Sequence, residues 1–145
     1  MKPALLLAAA LMIGGCDSIP ADPDGTLARV RGEGRFRVGM IASAGRPMVA
    51  DGTAALLKGL SGATGARAAV EHGAAESLLT RLEDGDLDLV VGEFAEKSPW
   101  AAKVTLSEPI GRRGPTILAA AARNGENAWI ALVHREARAV ASGGR

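Results

Sequence analysis

The sequence contains a single cysteine, Cys16, among its 145 residues, and only 3% of its residues are aromatic. One cysteine excludes an intrachain disulfide framework and any zinc or iron–sulfur site built from several cysteines. The 17 basic and 16 acidic side chains leave a formal net charge of +1, which creates no strong field for a polyanion, so we expect no nucleic acid among the partners. The chain is nevertheless 48% hydrophobic, which excludes a disordered tail and favours one compact domain.

The N-terminal segment has features of a cleaved export signal. Residues 1–16 read MKPALLLAAALMIGGC, with a cation at Lys2 followed by an apolar run. That run has only about half of the roughly 20 residues that a membrane-spanning helix needs, so it is typical of a secretory signal peptide. The stretch 13–16 (IGGC) also resembles a bacterial lipobox, in which the chain is cut before the cysteine and the cysteine is then acylated. We therefore expect a signal peptide at 1–15 and lipidation of Cys16.

The residues after Cys16 predict where the protein is held. Asp17 directly follows the cysteine, and in enteric bacteria an aspartate there resembles a signal for retention at the inner membrane. Residues 16–24 contain two prolines and three aspartates and predict a short lipidated tether. We expect the protein on the periplasmic side of the inner membrane, anchored by acyl chains. The alternative is an ordinary signal peptide and an incidental buried thiol.

The remaining residues, 25–145, predict a single α/β lobe. Apolar residues alternate at Phe36, Val38 and Met40 as on a strand, and leucines recur at helical spacing after Thr53. The predicted elements are a helix that Asp24 caps and that ends at Gly32 and Gly34, strands at 36–41, 68–70, 87–91 and 115–121, and helices at 53–64, 74–83, 98–103 and 128–141, with a flexible polar stretch at 111–114. This order is typical of a mostly parallel sheet with flanking helices.

Sequence motifs of catalysis and of metal binding are incomplete. The glycines at 32 and 34 lack the third glycine of a dinucleotide-binding loop, and the aspartates at 84, 86 and 88 lack the glycine and glutamate of a calcium loop. His72 and His134 form no spaced metal pair, and no serine lies in a Gly-x-Ser-x-Gly motif. We therefore expect neither an enzyme nor a cofactor or metal.

Three segments carry a family resemblance. The stretches 34–39 (GRFRVG), 82–92 (LEDGDLDLVVG) and 103–110 (KVTLSEPI) resemble, in order and spacing, family 3 periplasmic solute-binding proteins, the receptors of amino-acid-type ABC transporters. The resemblance implies a single three-layer lobe of the type II periplasmic-binding-protein fold. It also implies a small polar solute as ligand and, as protein partner, an ABC transporter permease or another envelope protein.

The sequence departs from this family in two ways. In the family a second lobe is inserted where this chain has only residues 111–114, and a lone lobe cannot enclose a small ligand as two closing lobes do. In addition, Trp100 stands at the position of the arginine that grips the ligand carboxylate in amino-acid-binding members, and Ala95 and Lys97 stand at two threonine positions. The resemblance therefore names no amino acid as the ligand. Two copies that replace the missing lobe would make a homodimer.

Two functions follow as hypotheses. The first is a lipid-anchored, noncatalytic solute-binding or accessory module, and the second is a structural or interaction lipoprotein that has lost solute binding and contacts a protein partner through an apolar patch. Open α/β sheets bind ligands where the carboxyl ends of their strands meet. On that basis the candidate ligand-binding residues are Ser43, Arg46, Glu93, Phe94 and Trp100.

Overall fold

The computed structural model describes residues 22–42 and 50–143. The predicted signal peptide, the lipidation site Cys16 and most of the tether lie outside the described residues, as do the candidate site residues Ser43 and Arg46. No helix in the described ranges combines the length and the apolar character that crossing a membrane requires.

The described residues form one mixed sheet with helices around it. The strands are β1 Arg35–Ile41, β2 Arg67–Gly73, β3 Leu89–Ala95, β4 Val104–Leu106, β5 Gly111–Arg113 and β6 Thr116–Arg123. The α-helices are α1 Thr26–Glu33, α2 Ala50–Thr64, α3 Ala75–Glu83 and α4 Asn127–Gly143, and a short 3₁₀ helix covers Pro99–Ala102.

The sheet has the strand order β2-β1-β3-β6-β4. Strands β4 and β5 pair with the same side of β6, β4 along its last residues and β5 along its first. Strand β1 lies parallel to both β2 and β3, whereas β6 is antiparallel to β3, β4 and β5. Five strands therefore point the same way and β6 alone points against them. The predicted α/β class, a mostly parallel sheet with flanking helices, is confirmed.

Apolar side chains fill both faces of the sheet and create three layers. On one face, Phe36 of β1 and Trp129 of α4 pack with leucines of α2, and the two aromatic ring centroids are 5.8 Å apart. On the other face, the leucines of α3 cover Val90 and Phe94 of β3. Since successive strand residues point to opposite faces, each central strand contributes to both cores.

Two elements differ from the sequence prediction in ways that affect the site. Strand β3 begins at Leu89 and continues to Ala95, four residues beyond the predicted end. The stretch 111–114, expected to be flexible, instead forms β5 and a tight turn into β6. Gly114 has a φ of 54°, which glycine adopts without steric cost and which allows a two-residue connection between antiparallel strands.

The start of α1 also differs from the prediction. The helix begins at Thr26 after Gly25, and Asp24 provides no side-chain cap. The helix also continues through Gly32, where the sequence predicts its end, and is closed by Gly34 alone. Instead the carboxylate of Glu126, which precedes α4, accepts the backbone N–H groups of Asp24 and Thr26 at 3.0 and 2.9 Å. A carboxylate distant in sequence thus accepts the first N–H of the helix, while the carboxylate of Asp22, close in sequence, accepts the N–H of Leu27 at 3.0 Å.

Candidate functional site

The candidate site lies at the carboxyl end of the sheet, where β1, β3 and β5 end. We call this end of the sheet the carboxyl edge. Helix α2 begins at this edge because it follows β1, and its first turn packs closely on the segment between β4 and β5. A Cβ atom at Gly52 would lie only 2.8 Å from the carbonyl oxygen of Ile110. The carboxyl end of the sheet, the start of α2 and strand β5 therefore surround one region.

Glu93 of β3 lies in this region beside an arginine that the sequence analysis did not single out. Its Oε1 atom is 3.1 Å from Nη1 of Arg113 in β5, and the two side chains are 24% and 38% exposed. A second pair joins Arg112 to Glu96 at 2.6 Å, with both side chains largely exposed. The two adjacent arginines are a sequence signal for such a site, but it is lost when residues 111–114 are interpreted as a flexible stretch.

Phe94 and Trp100 belong to the opposite face of the sheet from Glu93. Phe94 is only 5% exposed and lies in the core under α3. Trp100 packs on the edge of that core, and Nζ of Lys103 lies 5.2 Å from its ring centroid, within range of a cation–π contact. Its backbone N–H donates to Oγ of Ser98 at 3.3 Å, so Ser98 caps the 3₁₀ helix as the sequence predicts.

The structure therefore separates the candidate residues that it describes. Glu93 pairs with Arg113 of β5, whereas Phe94 and Trp100 pack on the face covered by α3. Alternation along β3 explains the separation, because neighbours on a strand point to opposite faces. Phe94 is buried, whereas Trp100 is partly exposed to solvent.

Thr53, in the first turn of α2, is a further polar group near this edge. The residue is buried, and its hydroxyl has no hydrogen-bond partner among the described residues. A buried hydroxyl is normally paired, because removal from water without a partner costs about 1–3 kcal/mol. The sequence provides no signal for this residue beyond its position in an amphipathic helix.

The opposite end of the sheet, where β1 and β3 begin, contains a buried ionic cluster. Asp88, 2% exposed, accepts hydrogen bonds from the backbone N–H of Arg37 at 2.7 Å and from its guanidinium at 2.8 Å, and it also pairs with Arg29. Burial raises the pKa of Asp88, but the hydrogen bonds from the two arginines outweigh it and hold the pKa below its usual range. The pKa of Arg37 is correspondingly raised, chiefly by its hydrogen bond to Asp88.

Charges at this opposite end are satisfied internally. The Nε1–H of Trp129 donates to the Asp88 carbonyl at 2.7 Å, and Arg123 pairs with Asp24 at 2.6 Å. The space that they surround is small, about 50 Å³. This cluster fixes the starts of β3, α1 and α4, and it leaves the carboxyl edge as the candidate site. In the described part of the chain, no three His, Cys, Asp or Glu side chains cluster as metal ligands would.

Comparison with solved structures identifies the fold. A mutant of the arginine-bound form of domain 1 from TmArgBP has a TM-score of 0.66 at 14% identity, and the match covers 80% of this chain and 98% of that one. An amino acid ABC transporter substrate-binding protein from Streptococcus pneumoniae, bound to L-arginine, has a TM-score of 0.65 at 8% identity, with 82% and 93% covered. The ancestral amino acid-binding protein AncCDT-1, a precursor of cyclohexadienyl dehydratase, has a TM-score of 0.65 at 12% identity, with 82% and 94% covered.

Comparison at the sequence level finds nothing comparable. No family model matches the chain, and no curated protein matches it. The structural matches nevertheless cover about four-fifths of this chain and more than nine-tenths of each solved chain. At these identities the likeness establishes a shared fold. This chain therefore shares the fold of domain 1 of TmArgBP, of the amino acid ABC transporter substrate-binding protein and of the ancestral amino acid-binding protein.

Proposed function

We propose that this protein is a noncatalytic, lipid-anchored solute-binding module of the periplasm, which holds a small polar solute at the carboxyl edge of its single lobe. The observation that carries the proposal is the match to domain 1 of TmArgBP, an isolated domain whose structure is an arginine-bound form and of which this chain covers 98%. A single domain of this fold can therefore retain a solute without an opposing lobe. That removes the main objection raised by the missing second lobe.

The Glu93–Arg113 pair supports a charged or zwitterionic solute. Half-exposed ion pairs contribute only about 0–1 kcal/mol, so a solute with complementary groups can replace each partner at little cost. The planar guanidinium of Arg113 can bind a carboxylate through two parallel hydrogen bonds, and Glu93 can accept from an ammonium or guanidinium group. These roles replace the carboxylate-gripping arginine for which this chain has Trp100.

Anchoring at Cys16 is compatible with an open site. Asp22, where the described chain begins, accepts the backbone N–H groups of Ala128 and Trp129 at 2.7 and 3.2 Å. This contact lies at the start of α4, on the edge opposite the candidate site. Cys16 lies six positions before Asp22, a reach of at most about 20 Å. A membrane attached there would lie on the side of the lobe away from the candidate site.

A binding titration tests the proposed solute site. The processed chain beginning at residue 16, with Cys16→Ser to avoid acylation, is titrated calorimetrically with arginine, glutamate, neutral amino acids, sugars and inorganic ions. We expect heat and a raised melting temperature with one charged or zwitterionic class. Arg113→Gln and Glu93→Gln should each weaken that binding at least about tenfold, the effect of losing one charged hydrogen bond.

The neighbouring pair of Arg112 and Glu96 provides the matched control. Arg112→Gln removes the same charge from the adjacent position, on the other side of β5. It should leave the affinity within about twofold, the range expected for a surface charge outside the site. Equal losses at positions 112 and 113 would indicate a nonspecific charge effect, and no response to any solute would contradict solute binding.

Membrane anchoring is tested separately. In a bacterium with two membranes, the wild-type chain should fractionate with the inner membrane, and mass spectrometry should find an acylated N-terminal residue 16. Cys16→Ser should abolish acylation and membrane retention. A mature protein that still begins at Met1, without fatty acid, would contradict this part of the proposal while leaving the solute site untouched.

The alternative of an interaction lipoprotein is supported by a different surface from the one expected. Phe94 is buried, so it contributes no exposed apolar patch beside Trp100. An open groove of about 710 Å³ instead runs between α2 and α4. Glycines, two alanines, Ile110 and Val140 line it, together with the charged residues Lys58 and Glu136. Capture of an envelope protein that a Gly62→Glu variant loses, together with silence in every solute titration, would favour this function.

A further inference from the structure

Strand β2 is the outermost strand on one side of the sheet, and no described residue pairs with its outer side. All seven of its residues pair in register with β1, and the ladder is closed by hydrogen bonds from Arg67 N–H to the Gly34 carbonyl and from Ala42 N–H to the Gly73 carbonyl. In a parallel ladder, every second residue of a strand directs both its N–H and its C=O to the neighbouring strand on one side. In β2 the odd-numbered residues do so toward β1. The even-numbered residues 68, 70 and 72 therefore direct their N–H and C=O groups away from the sheet.

The middle of this edge carries exposed apolar surface. Val70 is 46% exposed and is the exposed large hydrophobic residue of the described ranges. The strand contains no proline and no bulge, two of the devices that block pairing at a sheet edge, and its charged residues, Arg67 and Glu71, are of opposite sign. A regular edge with an apolar centre is a template for another strand.

The charges along β2 are complementary to those of a second β2. Arg67, Ala69 and Glu71 point to one face because they are odd-numbered. In an antiparallel pair centred on Ala69 of both copies, each Arg67 lies directly opposite Glu71 of the other copy. The same register places residues 68 and 70 opposite each other, and these are residues whose backbone groups point outward. Opposite charges in directly opposed positions stabilise strand pairs.

We infer that two copies of this protein associate through antiparallel pairing of their β2 strands, which joins the two sheets into one. The contact is a two-fold interface in which the same surface serves both partners. Each Glu71 would lie between Arg67 of the other copy and Arg81 of its own α3, with which it already pairs. The interface leaves the carboxyl edge open and does not depend on solute binding, and it differs from a dimer in which the second copy replaces a lobe.

Sedimentation velocity of the processed Cys16→Ser chain tests for the dimer over micromolar to millimolar concentrations. We expect a concentration-dependent dimer, and Val70→Lys should raise its dissociation constant at least about tenfold, since two lysines would then face the apolar centre. Because Val70 is exposed, circular dichroism and the melting temperature should be unchanged when both proteins are measured at a concentration where they are monomeric. Ala131→Lys on the exposed side of α4 is the matched control and should leave dimerisation unaffected.

Cysteine cross-linking tests the register. In the Cys16→Ser background, Ala69→Cys places two thiols opposite each other at the two-fold axis, and mild oxidation should give a covalent dimer. Val70→Cys is equally exposed but faces residue 68 of the other copy, so it should remain largely uncrosslinked. Cross-linking at 70 instead of 69 would overturn the register. A monomer at every concentration, with no covalent dimer from either variant, would overturn the association itself.

Discussion

Two buried threonines of α2 differ in whether their hydroxyl groups are satisfied. The Thr64 hydroxyl donates to the Leu60 carbonyl at 2.7 Å and accepts from the Ala66 N–H at 3.1 Å, whereas Thr53 has no partner among the described residues. Because a net hydrogen bond contributes about 0.5–1.5 kcal/mol and an unmet buried hydroxyl costs about 1–3 kcal/mol, the same substitution should have opposite effects at the two positions.

Thr53→Val should leave the free energy of unfolding unchanged or raise it by up to about 1 kcal/mol, whereas Thr64→Val should lower it by about 1–2 kcal/mol. Urea unfolding of both variants beside the wild type measures the difference. If Thr53→Val destabilises as much as Thr64→Val, the Thr53 hydroxyl has a partner and is no candidate for contact with a solute.

Asp88 links stability to pH because its pKa is lowered in the folded protein. Burial alone would raise that pKa, and hydrogen bonds from Arg37 and Arg29 reverse the effect. A carboxyl with a lowered folded-state pKa contributes stability that is complete above its unfolded-state pKa of about 3.9 and is lost as the pH falls toward the folded-state value. Glu126, buried and bonded to the N–H groups of Asp24 and Thr26, has a lowered pKa and the same sign.

Asp88→Asn should lower the free energy of unfolding at neutral pH by about 1.5–3 kcal/mol, the usual contribution of hydrogen bonds to a charged group. Arg29 and Arg37 are each about one-third exposed, so water can hydrate them and limits the loss. Unfolding measured between about pH 6 and pH 3 should decline more steeply for the wild type than for the variant. Parallel pH profiles would contradict the assignment of the low pKa to Asp88.

Helix α1 shows at the scale of an element how two nearby glycines have different roles. Gly32 lies inside the helix, and a Cβ atom there would meet open space. Gly34 ends the helix with a φ of 66°, and its N–H donates to the Val30 carbonyl at 3.0 Å. Alanine suits a helix interior better than glycine does, but it is strained in the left-handed conformation.

Gly32→Ala should therefore stabilise the protein by about 0.5–1 kcal/mol, and Gly34→Ala should destabilise it by about 1–2 kcal/mol. Thermal unfolding of the two variants, made in the same background, checks the opposite signs. A loss of stability in Gly32→Ala would show that α1 tolerates no added side chain at that position, contrary to the open space around it.

Local pattern predicted those elements whose partners are near in sequence. The leucine stripe of α3 and the alternation in β1 are visible in the sequence, because each element buries one face and its periodicity records which one. The capping of α1 is only partly predictable, since the Leu27 N–H is accepted by nearby Asp22 but the Thr26 N–H is accepted by Glu126, about one hundred residues away. Strand β5 was missed for a similar reason: three polar residues become a strand only when β6 lies beside them.

At the scale of the whole molecule, the sequence predicts at which end of the sheet a candidate site should lie but not which side chains meet there. Strand order placed Glu93 and Trp100 near the same edge, as expected for an open α/β sheet. The register then separated them onto opposite faces and brought Arg113 to Glu93. Which residues meet across a sheet depends on pairing between distant segments, and a single sequence does not record that pairing.

The single lobe should unfold as one cooperative unit, because β1, β3 and β6 contribute to the cores on both faces. The two tryptophans report on those faces separately: Trp129 is fully buried on the face of α2 and α4, and Trp100 packs on the face of α3.

In Trp100→Phe only Trp129 fluoresces, and in Trp129→Phe only Trp100 does. For each variant, fluorescence and far-ultraviolet circular dichroism should give the same urea midpoint, as two-state unfolding requires. We expect the Trp129→Phe midpoint to be the lower of the two, since that change also leaves the Asp88 carbonyl without its indole partner. A Trp100 signal that changes before the dichroism would mean that the α3 face separates first, and the lobe would then have two units of stability instead of one.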